Sequence, residues 1–438
     1  MTGRRLAVVG GGVAGLAAAR AASRAGLRVT LLEAAERLGG KVLTETVDGV
    51  PWEMGPDALV ATKPRGRDLL EELGLLEEAV APATGRAYLL DRGELRPIPA
   101  GTAMGIPKGP GVLVDAVRAG ILSPWGALRA AVEPLTPRVR RGDRELEDTL
   151  RKRLGREVAN RLARPLVGGV FGGVGGVPGM DATLPDLARG HSLMLAARRR
   201  PAARFLGLRG GMGRLVERLA ADLGEVDVRT GSRARSIEDL CGAYTVRTDH
   251  GPVEAEAVLL AVPGARAGSL LASLSGRGAP VPAFSSSAIV HLRYPGGALG
   301  RALDAAGYIR AHGEPGLVTA CSWVSVKWPH LDDGRPHLRA IVSADRPAAI
   351  PDDVGDRVVE EVGRVMRADR DPVDVRIHRW ATALPGYPVG HRARVERLRA
   401  SLPPGVEVAG ASHDGIGIPD CVASGEAAVA RLLPRLLG

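Results

Sequence analysis

The stretch from Arg5 to Glu33 limits the fold more than any other part of this chain. Arg5–Val9 (RLAVV) reads as a short buried strand, Gly10, Gly12 and Gly15 make a G-x-G-x-x-G turn, and Ala14–Ala25 is an alanine-rich helix. Gly26 ends that helix, and Leu27–Leu32 forms a second strand that stops at Glu33, 21 residues after Gly12. Strand, glycine turn and helix in this order build a cradle for a dinucleotide. The first glycine allows the tight turn, the second lets the backbone approach a pyrophosphate, and the third lets helix and strand pack closely. The helix start at Val13 and Ala14 then supplies unpaired N–H groups and a positive dipole end. Glu33, followed by Ala34, stands where a ribose acceptor belongs, and a carboxylate there favours an unphosphorylated adenosine ribose.

A length of 438 residues allows two or three domains with substantial cores. The net charge of +10 suits an anionic partner, but only 13 residues are aromatic and no basic run is interleaved with them, so no nucleic-acid partner is expected. Cys241, Cys321 and Cys421 form no C-x-x-C pair, which argues for a reducing compartment and against a metal site. The uncharged run Leu6–Ala19 is too short to span a membrane and contains four glycines. A cytoplasmic protein is expected, with membrane contact at most peripheral. Residues 129–164 carry 11 basic and 6 acidic residues, which read either as a solvated face or as a landing area for an anionic substrate or lipid. The oligomeric state is not legible.

Later segments refine the cofactor. The stretch EAAERLGGK, Glu33 to Lys41, resembles the E-x-x-x-R-x-G-G-[KR] extension of FAD-dependent oxidases in the amine oxidase superfamily. That resemblance implies FAD, with Arg37, Gly39, Gly40 and Lys41 near its phosphates and ribityl chain. Leu43–Val47 and Val50–Met54 flank Asp48-Gly49, a type I′ hairpin signal that delivers Gly55, Pro56 and Asp57 to the flavin region. At the far end, Val406–Ala409 reads as a strand, Gly410–Pro419 as a glycine-punctuated loop carrying Ile416, Gly417 and Ile418, and Cys421–Leu433 as an amphipathic helix. A helix start there would stabilise negative charge developing on a flavin. VDVRTGSRARSI (226–237) reads as strand, turn and strand, and the resemblance places the backbone near Ala234 against the adenine. Ala255–Pro263 reads as a buried strand that rejoins the nucleotide domain.

With these segments placed, the whole chain resembles the protoporphyrinogen and coproporphyrinogen oxidases, flavoenzymes that aromatise porphyrinogens in haem biosynthesis. The resemblance rests on GPDALVATKP (55–64), LRKRLGREVANRLARPLVGGVF (150–171), CSWVSVKWPH (321–330), RWATALPGYPVGH (379–391) and AGASHDGIGIPDCVASG (409–425). It implies a carboxylated porphyrinogen as substrate, with O2 as acceptor and H2O2 as product, and the basic balance of the chain suits the four propionates of coproporphyrinogen III better than the two of protoporphyrinogen IX. It matches Lys63 to the cation that pairs with a propionate, Gly169 to a close approach of the ring, and Gly307 and Ile309 to the wall facing the flavin. No catalytic side chain is assigned; His191, His291 and His413 read as core or surface residues. Two departures matter. Amine oxidases carry a Lys beside the flavin where the strand Ser286–Tyr294 has Val290, which weakens an amine substrate. After Phe171 the chain has Gly172, Gly173 and Val174 in place of an Ala-Gly-Asp-like sequence. That second departure keeps open an oxidase or dehydrogenase of another large heterocycle in specialised metabolism; a separate alternative, of a different class, is a flavin-containing porphyrin carrier without turnover.

The expected architecture is α/β: a discontinuous Rossmann-like FAD-binding domain from 1–85, 206–275 and 370–438, a mixed-sheet substrate domain from 86–110 and 276–369, where the alternating runs Ser286–Tyr294 and Leu317–Ser325 read as strands, and an inserted helical lobe over 111–205.

Overall fold

The structure is a computed structural model that describes residues 4–136, 143–171, 178–188, 191–240, 242–275 and 282–437. The chain divides into two compact units, one made of Met1–Ala81, Ala203–Pro282 and Arg392–Gly438, the other of Pro82–Ala202 and Ala283–His391.

The first unit is built on five parallel strands in the order Asp227–Arg229, Arg28–Leu32, Arg5–Val9, Ala257–Leu260 and Val406–Val408. Strands covered on both faces read as continuous apolar runs, and successive side chains go to opposite sides. Leu6, Val8, Leu31 and Leu259 pack with the helices Val13–Arg24 and Ile418–Leu437. Ala7, Val9, Val258 and Leu260 pack instead against the antiparallel strands Ala234–Asp239, Tyr244–Thr248 and Gly251–Ala255 and the helix Gly264–Ser275. Leu16 and Leu31 are fully buried, each worth about 1.5–3 kcal/mol. The hairpin Thr44–Val47 and Val50–Glu53 turns through Asp48 (φ 49°) and Gly49 (φ 79°), as its Asp-Gly pair predicts.

Ion pairs tie the helices of this unit together. Arg20 donates to Glu72 at 2.9 Å and to Asp222 at 2.6 Å, and Arg65 bridges Glu72 and Glu426. The hydrogen bond from Arg65, with help from Arg20 and against burial, draws the Glu72 carboxyl from 4.5 to about 2. A carboxylate held low in the folded state stabilises it fully above its unfolded value and loses that effect on acidification. The urea midpoints of wild type and Glu72→Gln should therefore differ at neutral pH and converge as pH falls from 4.5 to about 2. Parallel midpoints across that range would refute the pairing.

The second unit carries a seven-stranded mixed sheet in the order Asp374–Trp380, Ser286–Arg293, His337–Ala344, Ala320–Trp323, Gly307–Arg310, Tyr88–Asp91 and Glu94–Pro97. Its one parallel pairing among the described residues joins Gly307–Arg310 to Tyr88–Asp91. Ala288, Val290, Leu292, Leu338, Ala340 and Val342 form one face, packed against Val354, Val358, Val362 and Met366 of the helix Val354–Met366. Ser287, Ile289, His291 and Arg293, with His337, Arg339, Ile341 and Ser343, point the other way. The short helices between residues 110 and 199 enclose a second apolar cluster in this unit, including Leu113, Leu146, Leu150, Leu154 and Leu162.

Three expectations change. Residues 370–391 belong to the second unit, not with the nucleotide-binding segments, because Asp374–Trp380 adds to the sheet along Ser286–Arg293. Leu317–Ser325 is a strand only over Ala320–Trp323, after which Val324–Lys327 turns into a helix. The last helix begins at Ile418, one turn before Cys421, because Cys421 N already donates to the Gly417 carbonyl at 2.9 Å.

Candidate functional site: a dinucleotide and flavin cradle

The cradle lies at the carboxyl ends of the parallel strands, where sheets of this kind bind their ligands. Gly10 (φ 111°) turns the chain out of the first strand, and a Cβ there would stand 2.6 Å from the Ala261 carbonyl oxygen. A Cβ at Gly15 would overlap the Gly10 carbonyl oxygen, so the third glycine is required for the helix to sit against the turn. Gly12 differs from both, because a Cβ at that position meets nothing nearer than Gly40 Cα at 3.9 Å. As N-cap of the helix Val13–Arg24, Gly12 brings no capping side chain, and the first turn contains no acid. The first intrahelical amide bond is Leu16 N to Gly12 O, 2.9 Å. The N–H groups of Val13, Ala14 and Gly15 therefore have no intrahelical acceptor and carry positive polarity, which fits a pyrophosphate.

The second glycine pair closes over this turn. Gly39 N donates to Gly11 O at 2.8 Å, and Gly12 and Gly39 form a parallel bridge. Arg37 reaches back to the Gly40 carbonyl at 2.7 Å and the Leu38 carbonyl at 3.1 Å, holding that loop in shape. Glu33 accepts the Gly11 N–H at 2.6 Å on one oxygen and the Ala35 N–H at 2.8 Å on the other. It thus orders the turn, and its remaining lone pairs stay available to a ribose. Ala34 follows on the exposed side. Burial pushes the Lys41 ammonium down to about 8, and Cys421 is the neighbour that opposes this. Gly55 packs on the Lys41 carbonyl, with half-buried Pro56 and Asp57 next in line.

The last strand delivers the other wall. Gly410 N donates to Ser424 Oγ at 2.8 Å, Ser424 Oγ donates to Asp414, and Arg399 holds Asp414 at 2.6 Å. A Cβ at Gly425 would overlap the Ala14 carbonyl oxygen, so the final helix lies tightly along the first. Ile416, Gly417 and Ile418 form the turn into that helix, with Asp420 accepting the Gly417 N–H. Ala234 opens an antiparallel strand, and its carbonyl accepts from the Arg266 guanidinium. Arg266, Arg399, Asp414, Asp420 and Ser424 escape the sequence reading. Only an Asp in a helix's first turn and a Ser beside a close helix contact hinted at the last two.

Lys63 also lies in the first unit, where its Nζ is 2.5 Å from Asp420 Oδ2 and its side chain is 40% exposed. In the second unit the helix Arg164–Phe171, which contains Gly169, lies against the strand Gly307–Arg310, which contains Gly307 and Ile309. Gly172, Gly173 and Val174, the departure after Phe171, fall outside the described residues. Val290 faces the helix Val354–Met366 and is fully buried. Its strand presents Ile289 and His291 to the opposite side, with His291 Nδ1 2.8 Å from His337 Nε2. Burial, aided by Arg293, pushes His337 down to about 3, which keeps that ring neutral at physiological pH.

Residues 13–433 match the family model for flavin containing amine oxidoreductase. The chain belongs to this family. It is 32% identical to coproporphyrinogen III oxidase of Bacillus subtilis, covering 99% of this chain and 98% of that protein. It is 33% identical to coproporphyrinogen III oxidase of Propionibacterium freudenreichii, covering 95% and 88%. A crystal structure from Exiguobacterium sp. 255-15, provisionally named protoporphyrinogen oxidase, superposes with a TM-score of 0.88 at 34% identity, covering 99% of this chain and all of that one. The open cradle above Gly12 and the uncapped helix start fit FAD, and the protein is an FAD-dependent oxidoreductase. No helix among the described residues is long and apolar enough to cross a membrane.

Proposed function

We propose that this flavoenzyme oxidises a porphyrinogen, coproporphyrinogen III in preference to protoporphyrinogen IX, in haem biosynthesis. End-to-end likeness to coproporphyrinogen III oxidases carries the reading. FAD supplies the hydride acceptor, and three two-electron rounds convert the macrocycle to the porphyrin, each removing a hydride and a proton and passing them to O2 as H2O2. Because aromatisation drives the reaction, the chain's own task is to hold and orient the substrate. Lys63 has three N–H donors, and Asp420 occupies one direction, so a propionate at the exposed side of the ammonium can be held without breaking the pair. Gly169, Gly307 and Ile309 would give the macrocycle a flat wall built from one helix and one strand. Four propionates suit a chain of net charge +10 better than two.

Anaerobic mixing with each porphyrinogen tests the reading. Coproporphyrinogen III should bleach the flavin and produce porphyrin fluorescence, and air should then restore the flavin absorbance with H2O2. Binding without bleaching would favour a carrier. No response to either porphyrinogen would favour another heterocycle. In the same assay Lys63→Ala should raise KM for coproporphyrinogen III by roughly tenfold, the weight of one charge-assisted contact. An unchanged KM would remove Lys63 from the substrate site.

A further inference from the structure

Asp420 is in the first turn of the helix Ile418–Leu437, and its position is unusually determined. Its Oδ2 accepts the Gly417 N–H at 3.2 Å and lies 2.5 Å from Lys63 Nζ, which comes 357 residues earlier in the chain. The two glycines before it are shaped around it. A Cβ at Gly415 would stand 2.7 Å from Asp420 Cβ, and one at Gly417 would stand 2.8 Å from Asp420 Oδ2. Cys421 completes the clamp, its Sγ 3.6 Å from the Gly415 carbonyl. One carboxylate therefore fixes residues 415–417 of the turn that follows the last parallel strand, at the end of the sheet where its ligand binds. A carboxylate suits a helix start but opposes the negative charge that reduction places on a flavin. Lys63 cancels that opposition at contact distance.

We propose that the Lys63–Asp420 pair is a positioning device for the 415–418 turn and sets the electron affinity of the bound FAD. Asp420 holds the turn through the Gly417 amide, and Lys63 keeps its charge from disfavouring reduction. This inference rests on the first unit holding FAD and is independent of which substrate is oxidised.

The test is an anaerobic redox titration of purified holoenzyme against a reference dye, with no porphyrinogen present. Wild type, Lys63→Met, Lys63→Arg, Asp420→Asn and the double variant Lys63→Met/Asp420→Asn are compared. Lys63→Met should move the two-electron equilibrium about tenfold toward oxidised flavin, about 30 mV lower. Asp420→Asn should move it a similar factor toward reduced flavin. Lys63→Arg and the double variant should both stay close to wild type. Equal potentials in all five proteins would overturn the proposal. So would shifts of one sign in both single variants, which would mean that the turn had merely loosened. Loss of FAD from Lys63→Met that Lys63→Arg does not restore would also overturn it. A wild type inert toward every porphyrinogen, with opposite shifts in the two single variants, would retire the substrate reading and leave this inference standing.

Discussion

Replacing Gly12 with Asp should give a folded, colourless protein. Gly12 has φ −72° and ψ 177°, which any residue adopts, and the space its Cβ would enter is open. An Asp at this N-cap can accept from the first-turn amides and sits at the positive end of the helix, so the apoprotein should be as stable as wild type or more stable by about 1 kcal/mol. Those same amides are the ones that fit the pyrophosphate. The new carboxylate both occupies them and repels a second anion, and FAD content after purification should fall to about a tenth or less of wild type. The decisive comparison is thermal unfolding of the two apoproteins beside their flavin absorbance. Stoichiometric FAD in Gly12→Asp would mean the pyrophosphate does not lie over this turn. Gly10→Val is the contrasting variant, because a positive φ and the Ala261 carbonyl both reject a side chain. It should damage the fold as well as the colour.

The second large effect concerns stability. In the second unit Glu133 is completely buried, and Arg153 is 4% exposed. Glu133 accepts from Arg153 Nε at 2.8 Å, from Ser192 Oγ, and from the amides of Leu193 at 2.9 Å and Met194 at 3.2 Å. The last two amides open the helix Leu193–Arg199, so one carboxylate joins a cation to a helix start. Removing one member of such a set leaves a buried charge without its counter-ion, at a cost of about 3–5 kcal/mol. Glu133→Ala should therefore lower Tm by roughly 10 °C. Glu133→Leu with Arg153→Met should recover only the part of that loss that comes from the unpaired guanidinium, because Ser192 Oγ and the amides of Leu193 and Met194 still lose their acceptor. FAD content should hardly change, because Glu133 belongs to the other unit. A single variant within about 1 kcal/mol of wild type would show that the site relaxes or admits water.

The nucleotide cradle was legible because its signal is local. The strand Arg5–Val9, the helix from Val13, the strand ending at Leu32 and the Asp48-Gly49 turn occur where patterning and turn chemistry put them. Apolar periodicity and glycine geometry act over a few residues, so a single stretch of chain specifies them. Strand boundaries in the second unit were harder to read. Leu317–Ser325 alternates like a strand, yet the chain leaves the sheet after Trp323, and no local residue announces that exit.

What the sequence determined by itself is the identity of the cradle and the charge and glycine content that suit FAD, because these depend on neighbours within one or two turns. Only the tertiary structure could bring Val406–Val408 beside Ala257–Leu260, put residues 370–391 in the second unit, and set Lys63 against Asp420. Each of these pairings joins parts of the chain that local propensity treats as unrelated. They are decided by which apolar faces can be buried together, a property of the whole packed unit that no short stretch contains.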